Sequence, residues 1–178
     1  MKTGCAALLL AFLGLPSVAG AECDSGTAIL VRHGEKFMTG DAEKDRDAPL
    51  SEAGKERAEA LAAALSEAGI DAVYSSPYLR TRGTVEPLAA QLGLEVVAYS
   101  VVEKDAQLRV AAKVMAENCG REVLIAGHSN TVPELLRAFG VAQPEEIADQ
   151  QYDHLYLVRW RKGAPAELLT LHYGRPTP

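Results

Sequence analysis

Two histidines stand at matching places in this chain, each closing a short apolar run. Ile29-Leu30-Val31-Arg32-His33-Gly34 and Leu124-Ile125-Ala126-Gly127-His128-Ser129 share the order of three apolar residues, one spacer and a histidine. Arg32 adjoins the first histidine, and Arg80 follows Ser75-Ser76-Pro77-Tyr78-Leu79. Guanidinium groups present fork-shaped donors that match the oxygens of a phosphoryl group. A neutral imidazole, with an ordinary pKa of ~6.5, is a competent nucleophile near neutrality, whereas serine needs an activating base. Two imidazoles and two guanidiniums on one rim would therefore form a cradle for phosphate.

Bringing them to one rim is a matter of strands. Short apolar runs of this kind read as interior strands of a parallel sheet, and in open α/β sheets the ligand crevice lies beyond the carboxyl ends of the strands. Ser51 opens a helix whose apolar positions Ala58, Leu61, Ala62, Leu65 and Ala68 recur at helical spacing, with Gly69 as its stop. A strand over 72–75, a helix through about Leu92, a strand over 94–99 and a helix over 105–117 follow. Beyond His128, Thr131 and Glu134 have capping-box spacing and Pro133 suits a first turn, so a helix should begin there with its anion-attracting end facing the histidines and Ser129. From Asp153 to Tyr173 the chain alternates around Lys162-Gly163 as an antiparallel hairpin at the sheet edge. The reading is one α/β domain: a mostly parallel central sheet, helices on both faces and a C-terminal hairpin.

The first 21 residues read as a secretory leader. Lys2 gives the positive start, 6–15 an apolar run too short to span a bilayer, and Ala19-Gly20-Ala21 a cleavage site. Cleavage after Ala21 predicts a periplasmic or secreted product without stable membrane insertion; Glu22 before Cys23 does not fit lipoprotein processing. Of 178 residues, 157 remain, over 22–178, enough for one domain with a real core. Losing Lys2 takes the net charge from −6 to −7, a poor balance for binding nucleic acid or anionic membrane. Cys23 precedes His33 by 10 residues and Cys119 precedes His128 by 9. On adjacent parallel strands ~4.8 Å apart the two thiols would start at nearly the same height, inside the window for a disulfide, which is expected here in an exported chain.

Arg32-His33-Gly34-Glu35, Leu50-Ser51-Glu52-Ala53-Gly54, Ser76-Pro77-Tyr78-Leu79-Arg80 with Thr84 beyond, and Gly127-His128, in that order, closely resemble the histidine phosphatase superfamily in its phosphoglycerate-mutase-like branch 1. The resemblance runs from about Thr27 to Ala138 and is to the small phosphohistidine-phosphatase type. It implies a cofactor-free, metal-independent phosphomonoester hydrolase acting on a small phosphorylated substrate. His33 would become a phosphohistidine, Arg32 and Arg80 would clamp the phosphoryl oxygens, and His128 would stabilise the transition state. Ser129 would join Arg32, Arg80 and His128 in holding phosphate.

The family's usual leaving-group acid has no clear counterpart. The stretch 101–105 lacks the acid-bearing insertion of true mutases, leaving Glu103 first and Asp105 second. The loop 37–50 is the one segment long enough for a lid, and its mixed charges read as a solvated rim; it lacks a calcium-loop pattern. Glu35 is open between supporting that loop, meeting Lys36 and serving the site, while His154 and His172 read as structural. Three alternatives stay open: a non-catalytic module that captures phosphorylated ligands, a phosphomutase, and a zinc site on His33 and His128, which the neighbouring arginines would repel.

Overall fold

The two histidine-bearing runs form adjacent parallel strands. In a computed structural model that describes residues 23–178, β1 (Ser25–Arg32) pairs with β4 (Glu122–Gly127) from Thr27 opposite Glu122 to Arg32 opposite Gly127. The His33 N–H then donates to the Gly127 carbonyl at 2.9 Å, so His33 and His128 leave the sheet side by side. The leader read at 1–21 lies outside the described residues.

Around this pair the sheet extends in both directions. β2 (Ile70–Ser75) lies parallel to β4, and β3 (Val96–Ala98) parallel to β2. On the other side β5 (His154–Arg161) runs antiparallel to β1, and β6 (Glu167–His172) returns along its edge. The order is β3-β2-β4-β1-β5-β6, a mixed six-stranded sheet with the expected C-terminal hairpin. β1 and β4 are central, which is why their runs are apolar on both faces rather than alternating.

Four helices cover the two faces. α1 (Glu52–Leu65) and α2 (Leu79–Leu92) bury Leu61, Leu65, Val85 and Leu88 against Ile29, Val31, Val73 and Leu124. α3 (Ala106–Glu117) and α4 (Thr131–Ala138) bury Val110, Val114, Val132 and Leu135 against Leu30, Val123 and Ile125 on the opposite face. Ser51 caps α1 as expected, its hydroxyl accepting from the Gly54 N–H. α1 ends at Leu65, four residues before Gly69, whose φ of +69° makes the turn into β2. The capping box at α4 does not form: Asn130 is the N-cap, and the Thr131 hydroxyl turns back to accept from the His128 N–H at 2.9 Å. No helix among the described residues is long and apolar enough to cross a membrane.

The disulfide expected between Cys23 and Cys119 is corrected, because both are free thiols. Strand register did bring the two thiols near enough to influence one another, and Cys23 Sγ donates to the Ser25 carbonyl at 3.8 Å. Both lie before the ladder begins, however, and Gly120, with φ +68°, turns the chain beside Cys119. The regular interstrand spacing that motivated the bridge therefore does not extend to them.

Candidate functional site

A cavity of about 930 Å³ opens beyond the carboxyl ends of β1, β4 and β2, with Arg32, His33, Tyr78, Arg80, His128 and Ser129 on its wall. Arg32 ends β1 and His33 follows it, His128 and Ser129 follow β4, and Arg80 stands in the first turn of α2 after β2. The residues predicted to cradle phosphate thus converge because three parallel strands end at one level.

His33 is buried, and its Nδ1 lies 2.7 Å from the Gly34 carbonyl. A carbonyl can only accept, so Nδ1 carries the ring proton and Nε2 keeps its lone pair. Burial is the first cause that pulls its pKa down to about 3, opposed by the Gly34 bond and reinforced by the charges of His128, Arg80 and Arg32. His128 is lowered to about 4, by burial and then by Arg80 and Arg32. Both rings are neutral at ordinary pH, and they meet edge to face with centroids 5.2 Å apart. His128 Nε2 is 2.9 Å from the Ser76 hydroxyl, itself 2.6 Å from that of Thr81, so two small rotors orient the ring.

The two arginines are positioned by groups far away in sequence. Arg32 Nη1 donates to the carbonyls of Ala148, Asp149 and Gln151 at 2.8, 3.0 and 3.1 Å, and its guanidinium lies 4.0 Å over the Tyr152 ring. Arg80 Nη1 donates to the Arg46 carbonyl, and its guanidinium sits 4.5 Å over Tyr78. The Nε of each is buried without a protein partner, so neither arginine has spent all its donors on the scaffold.

The segment 37–50 is not a loose rim. The Asp45 carboxylate is buried and accepts from the Thr39 and Gly40 N–H groups and the Thr39 hydroxyl. Asp47 accepts the Leu79 N–H at 2.8 Å and so caps the start of α2 from a distance, while Arg46 supplies the carbonyl that holds Arg80. These charges carry structure: each acceptor completes an otherwise unpaired backbone or guanidinium donor.

Glu35 likewise proves to be a support. Its carboxylate makes a two-pronged pair with Arg57, at 2.9 Å from Nε and 2.7 Å from Nη2, and Arg57 is 3% exposed. Arg57 Nη1 donates to the Tyr173 and Arg175 carbonyls, tying the loop after His33 to the C-terminal segment. Gly54 is required here, since a Cβ would collide with the Glu35 carbonyl. Thr84 completes the support by accepting the Gly34 N–H at 2.9 Å.

Glu103 is not brought into the cavity. It is exposed and paired with Arg109 at 2.7 Å, and with Asp105 it lines a neighbouring cleft beside α3 and α4. The carboxylates on the wall of the cavity that His33 and His128 line are Glu35 and Asp149. Sequence reading missed Asp149 and Tyr152; their segment follows Pro144-Glu145-Glu146 and carries no pattern that marks a site.

Comparison with known proteins agrees with this geometry. The model of the histidine phosphatase superfamily (branch 1) matches residues 28–109. An 8-oxo-(d)GTP phosphatase of Mycolicibacterium smegmatis is 30% identical over 122 residues, 64% of this chain and 37% of that protein, so the chain spans little more than a third of this relative. Among solved structures, the protein histidine phosphatase SixA, complexed with tungstate, superposes with TM-score 0.67 at 20% identity, over 83% of this chain and 97% of SixA. A mycobacterial glucosyl-3-phosphoglycerate phosphatase superposes with TM-score 0.60 at 15% identity, over 84% and 100%.

Proposed function

We propose that this chain, whose residues 28–109 match the histidine phosphatase superfamily (branch 1), hydrolyses a phosphomonoester through a phosphohistidine on His33. The observation that carries this reading is the Nδ1 bond to Gly34: it leaves Nε2 unprotonated in a cavity that two arginines line. Nε2 attacks phosphorus, the ester oxygen leaves with the bridging electron pair, and water then attacks the phosphohistidine to release phosphate and restore the imidazole. Charge gathers on the phosphoryl oxygens during both steps. Arg32, Arg80, His128 and Ser129 stand where they can stabilise it, and positioning with electrostatics supplies most of the acceleration in such transfers.

Protonation of the leaving oxygen falls to Asp149 rather than Glu103. Glu35 is committed to Arg57, which leaves Asp149 as the carboxylate on the cavity wall free of such an ion pair, while Glu103 faces another cleft. The cavity has room for a leaving group well beyond the phosphoryl position, which favours a small phosphorylated substrate. The leader-like residues 1–21 support action outside the cytoplasm, as a periplasmic or secreted enzyme.

The test is hydrolysis of an aryl phosphate in chelator by the wild type and His33→Ala, with rapid acid-free quenching to trap the phosphoprotein. Turnover and labelling that both vanish in His33→Ala support the reading. A folded wild type that binds vanadate yet never turns over overturns it and makes the chain a phospho-ligand binding module.

A further inference from the structure

A second histidine pair lies outside the phosphate cavity. His154 and His172 are direct cross-strand partners of β5 and β6, with ring centroids 4.5 Å apart. Asp153 lies beside them, 4% exposed, with Oδ1 3.3 Å from His154 Nδ1 and Oδ2 3.1 Å from His172 Nδ1. One ligand atom from each residue falls within 4.8 Å of the others. Two imidazoles and one carboxylate are a zinc-type donor set that leaves a fourth position open, and tetrahedral bonds of ~2.0–2.1 Å place neighbouring ligand atoms roughly 3.3 Å apart. The His–Asp separations already have that spacing.

The surroundings add two observations. The Thr177 hydroxyl donates to Asp153 Oδ1 and leaves Oδ2 toward His172, the kind of support that orients a ligating carboxylate. His154 Nδ1 is buried and has no hydrogen-bond partner, its approach to Asp153 being too oblique to count as one. We propose that Asp153, His154 and His172 bind a zinc-class divalent cation, and that its binding loosens the cage around Arg32.

The link runs through Gln151. Its Oε1 accepts the Ala148 N–H at 3.1 Å, which fixes the carboxamide so that its Nε2 donates to His154 Nε2 at 3.0 Å. His154 Nε2 is thus an acceptor, and in the neutral ring the proton sits on Nδ1. A cation at Nδ1 requires the other tautomer: the proton moves to Nε2 and meets the amide N–H. Turning the carboxamide repairs the clash, giving Oε1 to His154 but dropping the Ala148 N–H. Ala148 and Gln151 supply two of the three carbonyls that hold Arg32 Nη1. This second half of the inference rests on the proposed role of Arg32; cation binding itself does not.

Co²⁺ titration followed by absorption separates the two. The wild type should take one Co²⁺ with tetrahedral d–d bands and no thiolate charge-transfer band, with affinity about tenfold or more lower in His172→Ala. His33→Ala should bind as the wild type does, whatever its turnover. Saturating Zn²⁺ should lower aryl phosphatase turnover about tenfold in the wild type and leave His172→Ala, which is exposed and outside the machinery, unaffected. Absence of one-to-one binding, or binding undiminished in His172→Ala, overturns the site. Inhibition that persists equally in His172→Ala overturns the link to Arg32.

Discussion

His33 and His128 on one side, and His154 and His172 on the other, are both pairs of imidazoles delivered by neighbouring strands, with centroids 5.2 and 4.5 Å apart. Their neighbours differ in sign. The first pair ends two central parallel strands under Arg32 and Arg80, is buried, and has both pKa values pulled far down. The second ends an edge hairpin beside Asp153, whose carboxyl is held down at about 2 despite burial by its bonds from Thr177 and His172. Burial and positive surroundings keep the first pair neutral and suit an anion; a fixed carboxylate invites a cation. The difference lies in what the rest of the fold packs around each pair, not in the histidines.

The largest expected effect tests that contrast directly. Arg80→Ala should lower aryl phosphatase kcat by about 10²–10³, the cost of losing one charge-stabilising donor, while metal-free His172→Ala stays within about twofold of the wild type in the same assay. Comparable losses in the two variants would erase the distinction between the sites.

Next in size is the support beneath the first pair. Arg57→Ala leaves Glu35 without its partner and should cost about 3 kcal/mol in denaturant unfolding. Removing Lys55, whose pair with Glu52 is exposed, should cost well under 1 kcal/mol.

The identity of the acid is sharpened by leaving-group dependence. Asp149→Asn should lower kcat by about 10² on alkyl phosphates and far less on nitrophenyl phosphate, whose oxygen leaves without a proton. Glu103→Gln should change neither, because its carboxylate faces Arg109 outside the cavity. Equal sensitivity of both substrates to Asp149→Asn would assign it to Arg32 positioning instead.

The last contrast is the pH dependence of stability. The folded-state pKa values of His33 and His128, about 3 and about 4, lie below the ordinary 6.5 of the unfolded chain. Their neutral forms are fully compatible with folding above 6.5. As the pH falls toward 4 the unfolded chain takes up protons that the folded one refuses, so stability drops on the order of 1 kcal/mol per pH unit for each histidine. Urea unfolding of His128→Gln between pH 6.5 and 4 should show a shallower decline than the wild type.

The convergence of these histidines and arginines on one cavity was legible because its members sit at strand ends or in strongly patterned turns. A residue one step past an apolar run must emerge at the sheet's rim, so Arg32, His33, His128 and Arg80 could be placed together from spacing. The supports were not legible. Glu35 meets Arg57, Arg80 meets the Arg46 carbonyl, and Arg32 meets the carbonyls of 148–151, in each case across a loop whose path has no periodicity. Glu103 misled because nearness in sequence to the cavity's rim says nothing about which cleft a flexible, exposed side chain faces.

By itself, then, the sequence determined the sheet-and-helix alternation, the neighbouring parallel strands and the meeting of His33 and His128 with Arg32 and Arg80 at the strand ends. Hydrophobic periodicity and strand-end position act over a few residues and leave one solution. Only the tertiary structure decided which tautomer His33 holds, which carboxylate faces the phosphate cavity and that His154, His172 and Asp153 share a corner. Those facts depend on a single hydrogen bond, on the register of one hairpin and, for Asp149, on contacts between segments more than a hundred residues apart, where packing selects among arrangements that local pattern leaves equivalent.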